Sequence, residues 1–341
     1  MSLKQRRSQP THTVEDDIDT TPSSPVSEGE GDDHGTWGAL GGGSYQMTSK
    51  LETASLSKTL TWDALPEWMR DNQYIRSGYR RQQNSWKGCL YSIFGYLHNE
   101  TVNIHSHLWG AVLFLVLLVI TFYKVMHYPT VTWHDAAGFA VFLGAAVVCL
   151  GFSAAFHTAQ CHSLPVAKSC VMLDYSGIVA LIVGSFFPSV YYGFYCYPSL
   201  QMLYLGTITI AGIGATYVVL TPIYNTPEFR WTRTTVFLSL GFTGIVPVCH
   251  ALHIHGMDAI YEEMGLAWLL LSGALYTIGA LLYAARIPER FFPGKVDLLG
   301  ASHQLFHIHV VLAALAHYIS IYQAYQHVHG TKAAVCPVPV F

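Results

Sequence analysis

The chain is short of charge. Only 11% of its 341 residues are Asp, Glu, Lys or Arg, less than half of the about 25% usual in a soluble domain. That disfavours a soluble globular fold, and a net charge of -3 provides no basic excess for nucleic acid. Cysteine pairs of the C-x-x-C form are lacking too. Cys89, Cys149, Cys161, Cys170, Cys196, Cys249 and Cys336 stand apart, most of them in or beside apolar runs. They read as small hydrophobic residues rather than as a disulfide framework or a thiolate site. No apolar run precedes residue 100, so no signal peptide is expected and the first span should be its own targeting signal. What abounds is hydrophobicity: 51% of residues, with 13% aromatic and a mean hydropathy of +0.32. This is the composition of a membrane protein with many rings near the headgroups.

Residues 1 to about 60 include "TVEDDIDTTPSSPVSEGEGDDHG", too acidic and too poor in apolar groups to fold, and are expected to form a disordered cytosolic tail. Residues 61–104 mix aromatic and basic side chains and read as a cytosolic, interfacial segment with a short amphipathic helix near 85–97. Seven apolar runs follow at 105–126, 135–156, 171–192, 200–221, 234–254, 266–285 and 303–325, each near the roughly 20 residues that cross a bilayer. With no water in the hydrocarbon they must be helical. The prediction is an all-α membrane protein: one seven-helix domain over 105–325 and an outer tail over 326–341. Pro188 and Pro247 are expected to kink spans three and five. Loops after spans two, four and six hold Lys168, Arg230, Arg233, Arg286, Arg290 and Lys295, whereas the other side holds only Lys124 and Lys332. Positive-inside bias therefore predicts a cytosolic N-terminus and an extracellular or lumenal C-terminus. That is the reverse of a G-protein-coupled receptor, and it leaves the Asn99-Glu100-Thr101 sequon unused on the cytosolic side.

Ionisable groups inside spans are costly, so their positions inform. Span two ends "GFSAAFHTAQCHS", span three opens "CVMLDYSG" and span seven opens "SHQLFHIH". The predicted orientation puts all three at one depth. At about 100° per residue, His303 and His307 share a face one turn apart, the spacing by which a helix offers two metal ligands. His309 points roughly 160° away and His317 lies about 15 Å deeper, so both read as structural, hydrogen-bonded to neighbouring helices. His157, His303 and His307 form the candidate metal set. Three neutral imidazoles with an open fourth position suit catalytic zinc. The ligands alone leave iron, nickel and copper open, and structural histidines between helices are the plainer alternative. Asp174 is a candidate general base or partner of a ligand imidazole. Ser153, one turn before His157, is a candidate donor to water or to a substrate oxygen. His250, His253 and His255 gather at the outer end of span five, either as interfacial histidines or as a second metal or pH-sensitive site. His162 reads as a loop residue.

These motifs, with "LHNETVNIHSHLWG", "LDYSGI" and "GSFFPSVYYGFYC", resemble the progestin and adipoQ receptor family, which takes in the adiponectin receptors and has the yeast Izh and haemolysin III proteins as relatives. The likeness runs over about residues 65–325, and the acidic tail suggests a fungal-type member. The resemblance implies seven helices, zinc near the cytosolic face on His157, His303 and His307, and Asp174 and Ser153 as the water-binding pair. Glu100, Asn103 and His107 of the first motif are retained, and His105 stands where adiponectin receptors usually carry Trp. It further implies zinc-dependent hydrolysis of a lipid amide, ceramidase-like, coupled to lipid and metal homeostasis signalling. The competing expectation is a non-enzymatic receptor or sensor in which zinc is structural. A metal transporter is disfavoured, because the polar groups gather at one end of the bundle. Expected partners are a ceramide-like or sterol membrane lipid, as substrate or ligand, and cytosolic signalling proteins for the tail. The expected location is the plasma membrane or an endomembrane such as the ER or vacuole.

Overall fold

The computed structural model describes residues 57–125, 128–330 and 336. The expected disordered tail falls outside these residues save for its last four positions. Seven helices are long and apolar enough to cross a membrane: Thr101–Val125, Trp133–Ala159, Leu164–Gly193, Pro198–Leu220, the two-piece span within Pro227–His255, Leu266–Ala285 and Ser302–His329. They are called spans one to seven. Most outrun their apolar cores because caps, not hydropathy, decide where a helix stops. Span three starts at Leu164 with a proline in its first turn, seven residues before the apolar run. Span seven starts where Gln304 Oε1 accepts from Gly300 N at 2.7 Å and Glu289 Oε2 accepts from Ser302 N at 2.8 Å.

The expected kink at Pro247 is displaced. Span five is two helices, Arg230–Phe242 and Ile245–His255, and the break lies at Thr243–Gly244. Pro247 sits in the first turn of the second piece, where a missing N–H costs nothing. Span three runs unbroken through Pro188. Small residues bring the helices close: a Cβ on Gly177 would stand 2.9 Å from the Cys149 Cα, and one on Gly279 would stand 2.8 Å from the His309 Cβ. Spans one, two, three and seven enclose the main core, built on Phe114, Phe142, Leu150, Leu181, Ala314 and Tyr325. Val179, Ile208, Val219 and Leu240 join spans three, four and five.

Residues 57–100 fold as a cap over one end of this bundle. Thr59–Leu60 pairs antiparallel with Tyr79–Arg80. A surface helix, Trp86–Gly95, lies where the amphipathic segment was expected. Its Trp86, Leu90, Tyr91 and Phe94 are exposed, as suits a helix lying in a membrane surface. Two carboxylates of the loop before span seven hold the cap. Asn72 Nδ2 donates to Glu289 at 3.0 Å, and Arg76 N and Ser77 Oγ donate to Asp297 at 3.1 and 2.7 Å. Asn99 of the sequon is buried against this cap, its backbone N–H donating to Gly78 O.

At the opposite end Cys196 and Cys336 form a disulfide across a sequence separation of 140. This corrects the reading of all seven cysteines as apolar fillers. The partners come from the turn after span three and the segment after span seven, and spacing along the chain carries no sign of that meeting.

Candidate metal centre

Span two delivers His157 and span seven delivers His303 and His307. One ring nitrogen from each lies within 4.8 Å of the others. The ring centroids are 4.9 Å apart for His157–His303, 4.7 Å for His157–His307 and 4.8 Å for His303–His307. Among the described residues no other three His, Cys, Asp or Glu side chains meet in this way. The fold brings the helical-face pair His303 and His307 together with His157, which shared their predicted depth.

The outward nitrogens are held at the start of span one, by Glu100 just before it and Asn103 in its first turn. His157 Nδ1 lies 2.8 Å from Glu100 Oε2. A carboxylate oxygen only accepts, so Nδ1 carries the proton and Nε2 keeps its lone pair. His307 Nδ1 likewise donates to the Asn103 carbonyl at 3.1 Å. Asn103 Nδ2 donates in turn to Glu100 at 2.7 Å. Burial would lift the Glu100 carboxyl, but the adjacent His157 and the Asn103 amide hold it well below the usual carboxylate range. Such partners fix the tautomer and aim of metal-ligating imidazoles. His157 Nε2 is buried with no hydrogen-bond partner, a state that costs about 1–3 kcal/mol unless something binds there. The donor set, the fixed tautomers and that orphan nitrogen all fit a divalent ion bound through nitrogen.

Two contacts were not foreseen. Arg80, almost wholly buried in the cap, donates to the backbone carbonyl of His157, and also to Thr158 O at 3.1 Å and Ser92 Oγ at 2.9 Å. His107 stacks on His307 at 3.6 Å between centroids and faces the His307 carbonyl through Nε2 at 3.3 Å. Its Nδ1 is buried without a partner. Glu100, Asn103 and His107 stood in a quoted motif with no role attached. Arg80 gave no signal at all, since it reaches His157 only through the fold of the cap.

Asp174 is buried beside the ligands but is not one of them. The Ser153 hydroxyl hydrogen-bonds with its carboxylate, and both line a cavity of about 940 Å3 with His303 and His307. The cavity continues through the bundle past Ile178, Phe237, Leu269 and Val310 to Met264, Leu266 and Ala324 at the other end, and most of its wall is apolar. The remaining histidines lie elsewhere. His309 Nδ1 donates to its own helix at Leu305 O, 2.8 Å away. His317 Nε2 bonds the Ser185 carbonyl of span three at 3.0 Å, the structural bond expected of it. His250 Nδ1 faces the Tyr204 hydroxyl at 2.7 Å and His255 Nε2 faces Gly193 O at 3.2 Å, so the cluster at that end is dispersed. His162 packs in a loop against Trp86.

Comparison with known proteins agrees with this architecture. The haemolysin-III-related family matches residues 95–318. The chain is 42% identical over 264 residues to progestin and adipoQ receptor-like protein 1 of Caenorhabditis elegans, covering 77% of this chain and 60% of that one. It is 40% identical over 283 residues to the adiponectin receptor protein of Drosophila melanogaster, covering 83% and 63%. Against the ADIPOR-like receptor IZH2 of Saccharomyces cerevisiae it is 39% identical over 274 residues, 80% of this chain and 86% of the other. The chain thus spans about three fifths of the length of the two animal relatives. It is an integral, multi-pass membrane protein, and it belongs to the haemolysin-III-related family that includes the progestin and adipoQ receptors.

Proposed function

We propose that His157, His303 and His307 hold zinc and that the protein hydrolyses a lipid amide at this site, with a cytosolic N-terminus. The observation that carries the reading is the apolar cavity of about 940 Å3 that ends on His303, His307, Asp174 and Ser153, two of them members of the three-histidine cluster. Its volume is near the top of the roughly 300–1,000 Å3 range of small-molecule sites, and its apolar wall suits acyl chains rather than a polar solute. Zinc, when bound, supplies Lewis-acid polarisation of a carbonyl and acidification of water. Asp174 takes a proton from the attacking water and returns it to the leaving amine, so an amide and water become a carboxylic acid and an amine. Ser153 hydrogen-bonds with the Asp174 carboxylate and orients it toward that water. Glu100 and Asn103 keep the ligand imidazoles in one tautomer. The orientation is supported by the basic loops at the site end and by the Cys196–Cys336 disulfide at the other, since disulfides persist in oxidising compartments.

The test is metal analysis and amide turnover on the purified chain, using a ceramide panel of several acyl lengths. The expected result is about one zinc per chain and product formation abolished both by chelator and by Asp174→Asn, with zinc retained in that variant. Turnover that is indifferent to chelator or to Asp174→Asn would overturn the enzyme reading.

A second reading is a receptor in which zinc only staples the spans. It draws on the direct bond from cap residue Arg80 to the His157 carbonyl, which ties the site to the segment leading into the N-terminal tail. In that case Asp174→Asn leaves zinc and signalling intact.

A further inference from the structure

Cys89 and Cys161 meet at the site end. Cys89 lies on the surface helix, and Cys161 lies just past the end of span two. Their sulfurs are 3.7 Å apart and both side chains are buried. The two backbones are clamped next to this contact. Gln83 N donates to Cys161 O at 2.8 Å and Asn84 N donates to His162 O at 3.0 Å, and Trp86 packs on the His162 ring at 4.7 Å. Arg80, beside the pair, binds Ser92 of the surface helix and the Thr158 carbonyl of span two. A hydrogen bond from Cys89, opposed by burial and aided by Arg80, holds the Cys161 thiol below its ordinary range. Thiolate character and a resolving thiol at contact distance are what an oxidation-sensitive cysteine needs.

We propose that Cys89 and Cys161 are an oxidisable dithiol, which a hydroperoxide converts to a disulfide that staples the surface helix to the span carrying His157. Cys161 thiolate attacks the peroxide; the O–O bond breaks, a sulfenic acid forms and an alcohol (or water) leaves with the proton. Cys89 sulfur then attacks the sulfenic sulfur; the S–S bond forms, the S–O bond breaks and water leaves with the Cys89 proton. Two electrons pass from the two sulfurs to the peroxide. The sulfurs close from 3.7 Å to about 2.05 Å, a movement the short surface helix can make as a unit. Local opening of that helix admits the small oxidant. The product locks the clamp between Arg80 and the end of span two, so the cap opens less often. The proposal needs no metal at the histidines and stands apart from the amidase reading.

The test uses the full chain in membranes, treated with graded hydrogen peroxide and then with alkylating reagent, and peptides are mapped without reduction. The expected product is a linked Cys89–Cys161 peptide lighter by two hydrogens and reversed by dithiothreitol. It should appear at peroxide doses that leave Cys149, a lone buried thiol, unmodified. In Cys89→Ser a dimedone adduct should collect on Cys161. Hydrogen exchange of residues 86–95 should slow by about tenfold in the oxidised protein. The proposal is overturned if both thiols stay alkylatable at doses that oxidise the lone buried Cys149, or if the linked form exchanges as fast as the reduced one.

Discussion

The two ends of the bundle both bury histidines, and they treat them differently. At the disulfide end His329 is satisfied on both nitrogens: Nδ1 faces Thr130 Oγ1 at 2.9 Å and Nε2 faces Asp135 Oδ1 at 2.7 Å. Asp135 is satisfied in turn, accepting from Tyr192 Oη at 3.0 Å and from Thr132 N and Oγ1 at 2.9 and 2.8 Å. At the other end His157 and His307 have their Nδ1 atoms tied by Glu100 and Asn103, while His157 Nε2 and His107 Nδ1 are buried with no hydrogen-bond partner. A closed network holds helices together. An open one leaves buried lone pairs that a bound ligand would satisfy.

The sharpest way to break this comparison is to remove a ligand. His157→Ala, His303→Ala and His307→Ala should each take bound metal below detection by mass spectrometry, whereas His309→Ala should keep it. Metal retained without His303 would dismantle the three-histidine site. Next in size is Asp135→Ala at the closed end. It strands His329, Tyr192 and Thr132 together, and breaking such a buried pair costs about 3–5 kcal/mol. Thermal unfolding in detergent should show that loss. Residual folded protein should still bind metal with unchanged affinity, and weaker metal binding there would mean that the two ends are not independent.

A smaller effect is expected from Glu100→Gln, which keeps the shape but turns a carboxylate acceptor into an amide. Metal affinity should fall by about 10–100-fold with little change in unfolding temperature, by competition with a chelator of known strength. The mildest test is of pH. Burial pushes His98 down to about 4; its Nε2 faces Ser92 O at 3.1 Å and its Nδ1 accepts from Glu100 N at 3.1 Å. Only the unfolded chain binds a proton between His98's ordinary value and about 4, so its contribution to stability is full above that window and is lost as pH falls through it. Acidification from pH 7 to 4.5 should loosen the cap, and His98→Gln should flatten that dependence.

Much of the fold was legible from the chain. The seven spans follow from runs long enough to cross hydrocarbon, and an apolar run there has no stable state but a helix. His303 and His307 were readable as a pair because the α-helical period puts positions four apart on one face. His157 and Asp174 were readable because seven alternating spans put the end of span two and the starts of spans three and seven on one side. The break in span five was misplaced, because proline is harmless in a first turn and the chain gave way at Gly244 instead. The orienting role of Glu100 was not readable, since its partner lies 57 residues away on another helix.

By itself the sequence determined a membrane-embedded helical bundle, its seven spans and the two ligands that one helix period places together, because these depend only on local hydropathy and local geometry. Tertiary structure alone decided that Arg80 grips His157, that Cys89 touches Cys161 and that Cys196 bonds to Cys336. Each is a contact between segments whose meeting is set by how the cap and spans pack, and no spacing along the chain encodes that packing.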